Sequence, residues 1–452
     1  MMLTEQEIRE AERSLRKACR CGAQKARVTL SKSVTDVYGT LNGELDKVNH
    51  CLDRSLTFCL FVDGRYGSFS TNRIGEAELD AFITRAVATV RMLAEDPCRA
   101  LPDPERTVKD AATGLELGLY DPAYGSVTAE ERLRTAMDAA LFKEYSGRIK
   151  LISEEGEYSD SLTDLLVLDS NGLRCRHTET SFGYAVEMTV QDAGGRKFSG
   201  FRWDAGPMRR NLDIAPVGRT ALERAVAQIG PRNPRSGKYR MVVETECAAK
   251  LVSPVLKALG ASSLQQKNSF LPDSLGKPVF PEWMTILDRP RIPGQNGSKL
   301  FDSEGVATEE VPIIERGTVR EYFVNTYMAR KMGIAPTIED ATRPAVLPCA
   351  APKLGGIPAG LDRSRMLELA GDGILVTGFN GGNSNSSTGD FSYGIEGFLF
   401  KEGKIVRPVR EMLVTGHFLT LWNNLLAAGD DARPCMSKLI PTLAFENIDF
   451  SA

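Results

Sequence analysis

The residues best equipped for chemistry in this chain are concentrated at 379–394, Phe-Asn-Gly-Gly-Asn-Ser-Asn-Ser-Ser-Thr-Gly-Asp-Phe-Ser-Tyr-Gly. Gly381, Gly382 and Gly389 take positive φ at little cost, while Asn380, Asn383, Asn385, Thr388 and Asp390 offer side-chain donors and acceptors. That mixture suits hydrogen bonding to the backbone of an extended polypeptide, and Asn380, Asn383, Thr388, Gly389 and Asp390 are the candidate substrate-binding residues. It equally suits a tight connection that only sets up a hairpin. The other chemistry-bearing residues are scattered. His50, His177 and His417 are the three histidines, and no two have the helical spacing of metal ligands. Glu244 and Glu246 read as an acid/base or metal pair, or as a solvated face and helix N-terminal charges. Asp302 and Glu304 read as a cation site or a turn, and His417 as a cap or packing group ahead of an apolar run. No Gly-x-Ser-x-Gly elbow is present to support a serine hydrolase.

The elements that must hold these residues follow from pattern. Thr4-x-x-Glu7 is a capping box that opens a helix to about Cys19. Short β-like runs follow at Ala26 to Leu30, Val34 to Leu41 and Leu56 to Val62, the last turning at Asp63-Gly64 into Tyr66 to Phe69. Residues 76–94 predict a helix, a Pro-rich stretch spans 96–104, and Thr128-x-x-Glu131 caps another helix to about Tyr145. Leu165 to Leu168 meets Leu173 to Arg176 across Ser170-Asn171-Gly172, a type I′ candidate. Val186 to Val190 meets Lys197 to Phe201, and a helix covers 217–229. The linker 230–237 predicts an N-terminal domain at 1–230, with a sub-boundary near 96–127, and a C-terminal domain at 238–452. In the second, Tyr239 to Val243 is a strand, Cys247 to Leu259 a helix containing Pro254, and Glu321 to Met332 another helix. Ile374 to Thr377, Phe391 to Phe400 and Ile405 to Val414 are strands of one sheet, with Pro408 marking an edge or a bulge. The fold class is α+β, with hairpins and helices first and a sheet-dominated second half.

Composition narrows the function. The 452 residues are 42% apolar and 25% charged with formal net charge −3, and Lys and Arg are dispersed. A nucleic-acid groove needs a concentrated basic surface, so nucleic acid is not an expected partner. The nine cysteines lack regular spacing and read as reduced thiols. With an acidic N-terminus and no apolar run long enough for a span, the expectation is a cytoplasmic protein without a membrane partner.

Asn383 to Gly394, followed by Gly397, Phe398, Glu402-Gly403, Pro408-Val409 and Glu411, resembles the C-terminal signature of the TldD/PmbA family. Further matches are Asp63-Gly64 with Ser68 to Asn72, Asp169 to Gly172, Ser269-Phe270-Leu271 with Leu275-Gly276, and Asp288-Arg289-Pro290. Phe301-Asp302-x-Glu304-Gly305-Val306 and Asn325-Thr326-Tyr327-x-Ala329-Arg330-Lys331-x-Gly333 complete the set, which spans nearly the whole chain.

The resemblance implies a two-subunit metallopeptidase, historically labelled a modulator of DNA gyrase. In TldD-type chains of the family a His-Glu-x-x-x-His motif holds zinc, and its carboxylate takes a proton from the metal-bound water. The corresponding stretch here places Ser253, Pro254 and Ala258 at the two ligand positions and the base, and none of the three supplies that chemistry. Cys435 stands where TldD-type chains supply a cysteine ligand, and reads as a vestigial ligand or a structural thiol. The resemblance therefore implies a metal-less PmbA/TldE-type subunit with no cofactor of its own. Zinc would be carried by a TldD-type catalytic partner in a heterodimer, and peptide would be the substrate. The alternative is a homodimeric peptide-binding or regulatory module without proteolytic activity.

Overall fold

A computed structural model describes residues 2–109, 115–137 and 149–452 and has the expected α+β architecture. Helix α1 (Glu5–Arg20) starts at the capping box, with the Thr4 hydroxyl accepting from the Glu7 amide and the Glu7 carboxylate accepting from the Thr4 amide. The strands after it are much longer than the sequence pattern suggests. β1 (Lys25–Leu41) and β2 (Glu44–Val62) form one hairpin, and β3 (Arg65–Thr71) returns along β2. After α2 (Glu76–Val90) and α3 (Ala129–Met137), β4 (Lys150–Asp169), β5 (Arg174–Gln191) and β6 (Lys197–Gly206) complete a six-stranded sheet of order β3-β2-β1-β4-β5-β6. The expected extension of α3 to Tyr145 lies outside the described residues.

Two expectations are corrected here. The runs read as separate short strands are parts of single strands of 17 to 20 residues, because β1, β4 and β5 keep an alternating buried face almost throughout. The β4–β5 connection is not type I′, which needs two residues at positive φ; only Gly172 is there, at 100°, and the Asp169 carboxylate accepts from the Asn171 and Leu173 amides instead. Asp63-Gly64 does have both residues at positive φ, 51° and 73°.

Helices α1 and α2 cover one end of the sheet over Val28, Leu30, Phe58 and Leu60. Helix α4 (Val217–Ala227) lies on β5 and β6, where Gly200 gives it room: a Cβ there would sit 2.2 Å from the Ala221 carbonyl oxygen. Buried ion pairs tie these layers together, Lys32 to Glu7 at 3.2 Å and Arg132 to Asp160 at 2.7 Å.

The C-terminal half begins with β7 (Gly237–Val243) and α5 (Thr245–Ala258), then α6 (Ala261–Gln265). A small sheet of β8 (Ile286–Asp288), β9 (Val311–Glu315), β10 (Thr318–Val319) and β11 (Pro344–Val346) packs beside it. Helix α7 covers Thr326–Met332 only; the expected start at Glu321 is wrong because the Asn325 side chain accepts from the Met328 amide and caps the helix there. Then come β12 (Cys349–Ala350), α8 (Arg363–Ala370), β13 (Gly373–Ser384), β14 (Asp390–Lys401), β15 (Lys404–His417), α9 (Phe418–Asn423), β16 (Leu425–Ala428) and β17 (Leu443–Ser451). β7 runs parallel to β13, the β13-β14-β15-β17 run is antiparallel, and β17 pairs back onto β7, which closes a barrel. Trp422, Phe418, Phe445 and Tyr393 fill one core with Leu251, Val252 and Val255 of α5, while Val242 and Leu375 face α8 on the other side. Pro408 sits on a free stretch of β15, since β17 reaches only Leu413 to Thr415; the linker covers that stretch, with the Arg232 amide donating to the Pro408 carbonyl at 3.1 Å.

Candidate functional site

Helix α5 follows directly from β7, and its exposed side faces the β13–β14 hairpin. Glu246, Cys247, Lys250, Ser253, Pro254 and Lys257 line a cleft of about 530 Å³ with Phe379, Tyr393, Ser384 and Ser386 opposite. The Lys250 ammonium stands 4.8 Å from the Tyr393 ring centroid, a cation–π contact on the aromatic wall. Ser253 spends its hydroxyl on the Ala249 carbonyl at 2.8 Å, and Pro254 brings no amide to the helix. Ala258 does not face the cleft; it is 1% exposed, against the core, and Ser269 donates to its carbonyl.

These residues do not fit zinc. Serine, proline and alanine supply neither imidazole nor carboxylate, the third position points away, and an ammonium occupies the wall. Burial and the neighbouring Glu244 and Glu246 raise the Cys247 pKa, and its thiol donates to the Glu244 and Val376 carbonyls, so it is no thiolate ligand. Among the described residues no three of His, Cys, Asp and Glu converge as a metal-binding group. Cys435 is also pushed up by burial.

Around the first turn of α5 the cleft opens into a larger groove of about 1000 Å³ between the two sheets, sharing Glu246 and Cys247 with it. Phe201, Phe398, Ile405 and Val406 give this groove apolar flanks, and its floor is charged. Glu246 is a common acceptor for Arg202, for Arg224 at 2.7 Å and for Arg433 at 2.6 Å. Arg433 also donates to the Trp203 carbonyl at 2.6 Å, and Arg363 of α8 holds Glu244 at 2.7 Å. The reading of Glu244 and Glu246 as a solvated face is therefore overturned: Glu244 is 7% exposed, and both join arginines from distant segments. Arg202, Arg224, Arg363 and Arg433 were not singled out in the sequence, and no local pattern brings them together.

The hairpin has less loop than its composition suggests. Phe379 to Ser384 belong to β13 and Asp390 to Gly394 to β14, which leaves residues 385–389 as the turn. Asn380 donates to Glu396 at 3.1 Å and Thr388 to Asp390 at 2.7 Å. Gly389, at φ 84°, accepts from the Phe418 amide, and a Cβ there would meet His417 and Phe270 at 2.9 Å. Asn383 is exposed beside Ser384, Ser386 and Ser392 over a shallow hollow. His417 caps α9, accepting from the Leu419 amide at Nδ1 and donating from Nε2 to the Thr388 carbonyl at 2.6 Å. Asp302 accepts from the Glu304 and Val306 amides, a turn role; its pKa is pushed up to about 7, first by burial and then by Glu339. Glu304 reaches the Thr326 amide and hydroxyl.

The model of the PmbA/TldA metallopeptidase central domain matches residues 122–229, and that of the PmbA/TldA metallopeptidase C-terminal domain matches residues 236–452. A Bacteroides thetaiotaomicron protein labelled a candidate modulator of DNA gyrase is 36% identical, and its crystal structure superposes with TM-score 0.93 over 100% of both chains. Metalloprotease PmbA of Escherichia coli O157:H7 is 26% identical over 430 residues, 92% of this chain and 91% of that protein. TldE from Thermococcus kodakarensis, at 17% identity, has the same fold with TM-score 0.81 over 98% of this chain and 100% of its own. With both domain signatures in order and one fold shared from end to end, the chain belongs to the PmbA/TldD metallopeptidase family.

Proposed function

We propose that this chain is the non-catalytic subunit of a cytoplasmic TldD/TldE-type heterodimeric metallopeptidase that acts on peptides and unfolded polypeptide, with zinc supplied by a TldD-type partner. The observation that carries this reading is a groove built for extended chain that runs into a cleft stripped of catalytic donors. The groove has apolar flanks at Phe201, Phe398, Ile405 and Val406, and it borders β6, the end strand of the six-stranded sheet. The outward carbonyls of β6 at Ser199, Phe201 and Trp203 already accept from Gln228, Arg224 and Arg433, so an extended peptide is held here by the apolar flanks and the side chains of the floor rather than by pairing with β6. In the cleft, Ser253 and Pro254, to which the resemblance gives the ligand and base positions, supply neither imidazole nor carboxylate. Asn380, Asn383, Thr388, Gly389 and Asp390 are assigned to the peptide-facing hairpin, Asn383 contributing directly and the others holding its shape.

Native mass spectrometry of the chain purified from its own cells tests the assignment. The expected particle is a one-to-one complex with a second chain, whose zinc stays with that chain on dissociation. Zinc held stoichiometrically by this chain alone would overturn the reading, as would a metal-free homodimer inactive on peptides. In the complex, Asn383→Ala with Asp390→Ala lowers peptide turnover without changing assembly; unaltered turnover removes the hairpin from the site.

A further inference from the structure

The groove mixes carboxylates with guanidinium groups, Glu244 with Arg363 and Glu246 with Arg224 among them, but the cleft that opens from it does not. Among the described residues Glu246 is the one carboxylate lining the cleft, and it is committed to Arg202, Arg224 and Arg433. The other charged residues of the lining are Lys250 and Lys257. They stand three residues before and four residues after Ser253, so one face of α5 presents all three to the cleft. Both lysines are exposed, and neither makes an ion pair among the described residues. Lys250 lies over the Tyr393 ring at 4.8 Å, and an ammonium over a ring face still has N–H donors to offer.

Opposite the lysines, Ser384 is exposed and its hydroxyl makes no hydrogen bond among the described residues, whereas Ser386 is engaged by Asn268 at 2.7 Å. Asp390 of the hairpin lines the neighbouring hollow and accepts from Thr388, so it does not neutralise the lysines. Phe379, Tyr393 and Phe418 make the rest of the wall apolar. Seven residues of helix separate the two lysines, about 10 Å of rise, a gap that two four-carbon side chains can close over Ser253. Two free ammonium groups and a hydroxyl on an aromatic wall suit a carboxylate carried by an apolar chain. The groove needs such an anchor. Its β6 carbonyls are occupied, so no strand ladder fixes how far a peptide lies along it.

We propose that the cleft is an anion subsite of the peptide groove, in which Lys250 and Lys257 hold a carboxylate of the bound peptide, at its C-terminus or on an Asp or Glu side chain, with the adjoining apolar side chain on Phe379, Tyr393 and Phe418. The assignment rests on the reading of the groove as a peptide site and adds a substrate class to it, peptides that present a carboxylate next to an apolar residue.

The test is isothermal titration calorimetry of the full-length chain with N-acetylated apolar hexapeptides, each as the free C-terminal acid, as the C-terminal amide, and as the amide carrying one glutamate. The acid, the glutamate form or both are expected to bind about fivefold more tightly than the plain amide at low salt, and to lose that advantage as salt rises. Whichever form gains identifies the source of the carboxylate. With Lys250→Gln and Lys257→Gln together the three forms are expected to bind alike, and the charge-reversed pair K250E/K257E should favour the plain amide. Wild-type binding indifferent to the carboxylate, or a preference that survives both lysine substitutions, would overturn the proposal and leave the groove as a peptide site. If no form binds, the peptide reading of the groove falls and the anchor falls with it. Circular dichroism of each variant separates loss of the preference from loss of fold.

Discussion

The two ends of helix α5 are opposites. Its first turn carries Glu246, whose carboxylate collects Arg202 from β6, Arg224 from α4 and Arg433 from the segment before β17. Its last two turns hold a serine bonded to its own helix, a proline, an alanine turned to the core and Lys257 at the cleft. The carboxylate at one end is committed to joining the two sheets, while the last two turns present Lys257 to the cleft and carry neither carboxylate nor imidazole. One helix thus serves as an ionic tie at its start and as a cleft wall at its end.

The largest effect that would sharpen this contrast is expected from Glu246→Ala. Three arginines would be left around an empty position, and removing the shared partner of a half-buried ionic cluster costs about 2–3 kcal/mol, to be read by denaturant unfolding. The loss depends on pH. Burial pushes the Glu246 carboxyl up, but Arg224, Arg433 and Arg202 outweigh it and hold its pKa below the ordinary 4.5. A carboxylate depressed in the folded state stabilises fully above its unfolded value and loses that contribution as pH falls below it. The gap between wild type and variant should therefore be complete at neutral pH and shrink below about pH 4.5; a gap that widens on acidification would break the argument. At the other end, Pro254→Ala restores an amide able to bond the Lys250 carbonyl and should gain about 1–3 kcal/mol. Ser253→Ala should shift stability by no more than about 0.5 kcal/mol. A large destabilisation there would show that Ser253 carries a load its contacts do not reveal.

Local signals were legible wherever the backbone itself dictates residue type. Asp63-Gly64 and Glu402-Gly403 both take positive φ at both positions, and both turns lie where the dipeptides stand. The Thr4 capping box sets the start of α1. Asn42-Gly43, with φ 53° and 76°, is the same signal and joins β1 to β2, but the first residues of the strand after it have no buried face and so no alternation that marks a hairpin. Asn325 was likewise visible as a cap. The site was less legible for a different reason. The Gly and Asn-rich composition pointed to the hairpin, but most of those side chains are used in shaping it. The arginines around Glu246 come from residues 202, 224 and 433, and only folding brings them to one carboxylate.

The closure of the barrel by β17 has a consequence for biosynthesis. β7 and β17 are the strands that meet to complete the ring, and about two hundred residues separate them in the chain. On the ribosome the six-stranded sheet has all its strands once Gly206 has emerged, while β7 waits with an unsatisfied edge until residues 443–451 are made. β7 therefore has neither neighbour until β13 at Gly373–Ser384 is made, and the ring stays open until β17, the stage at which mispairing and chaperone capture compete with folding.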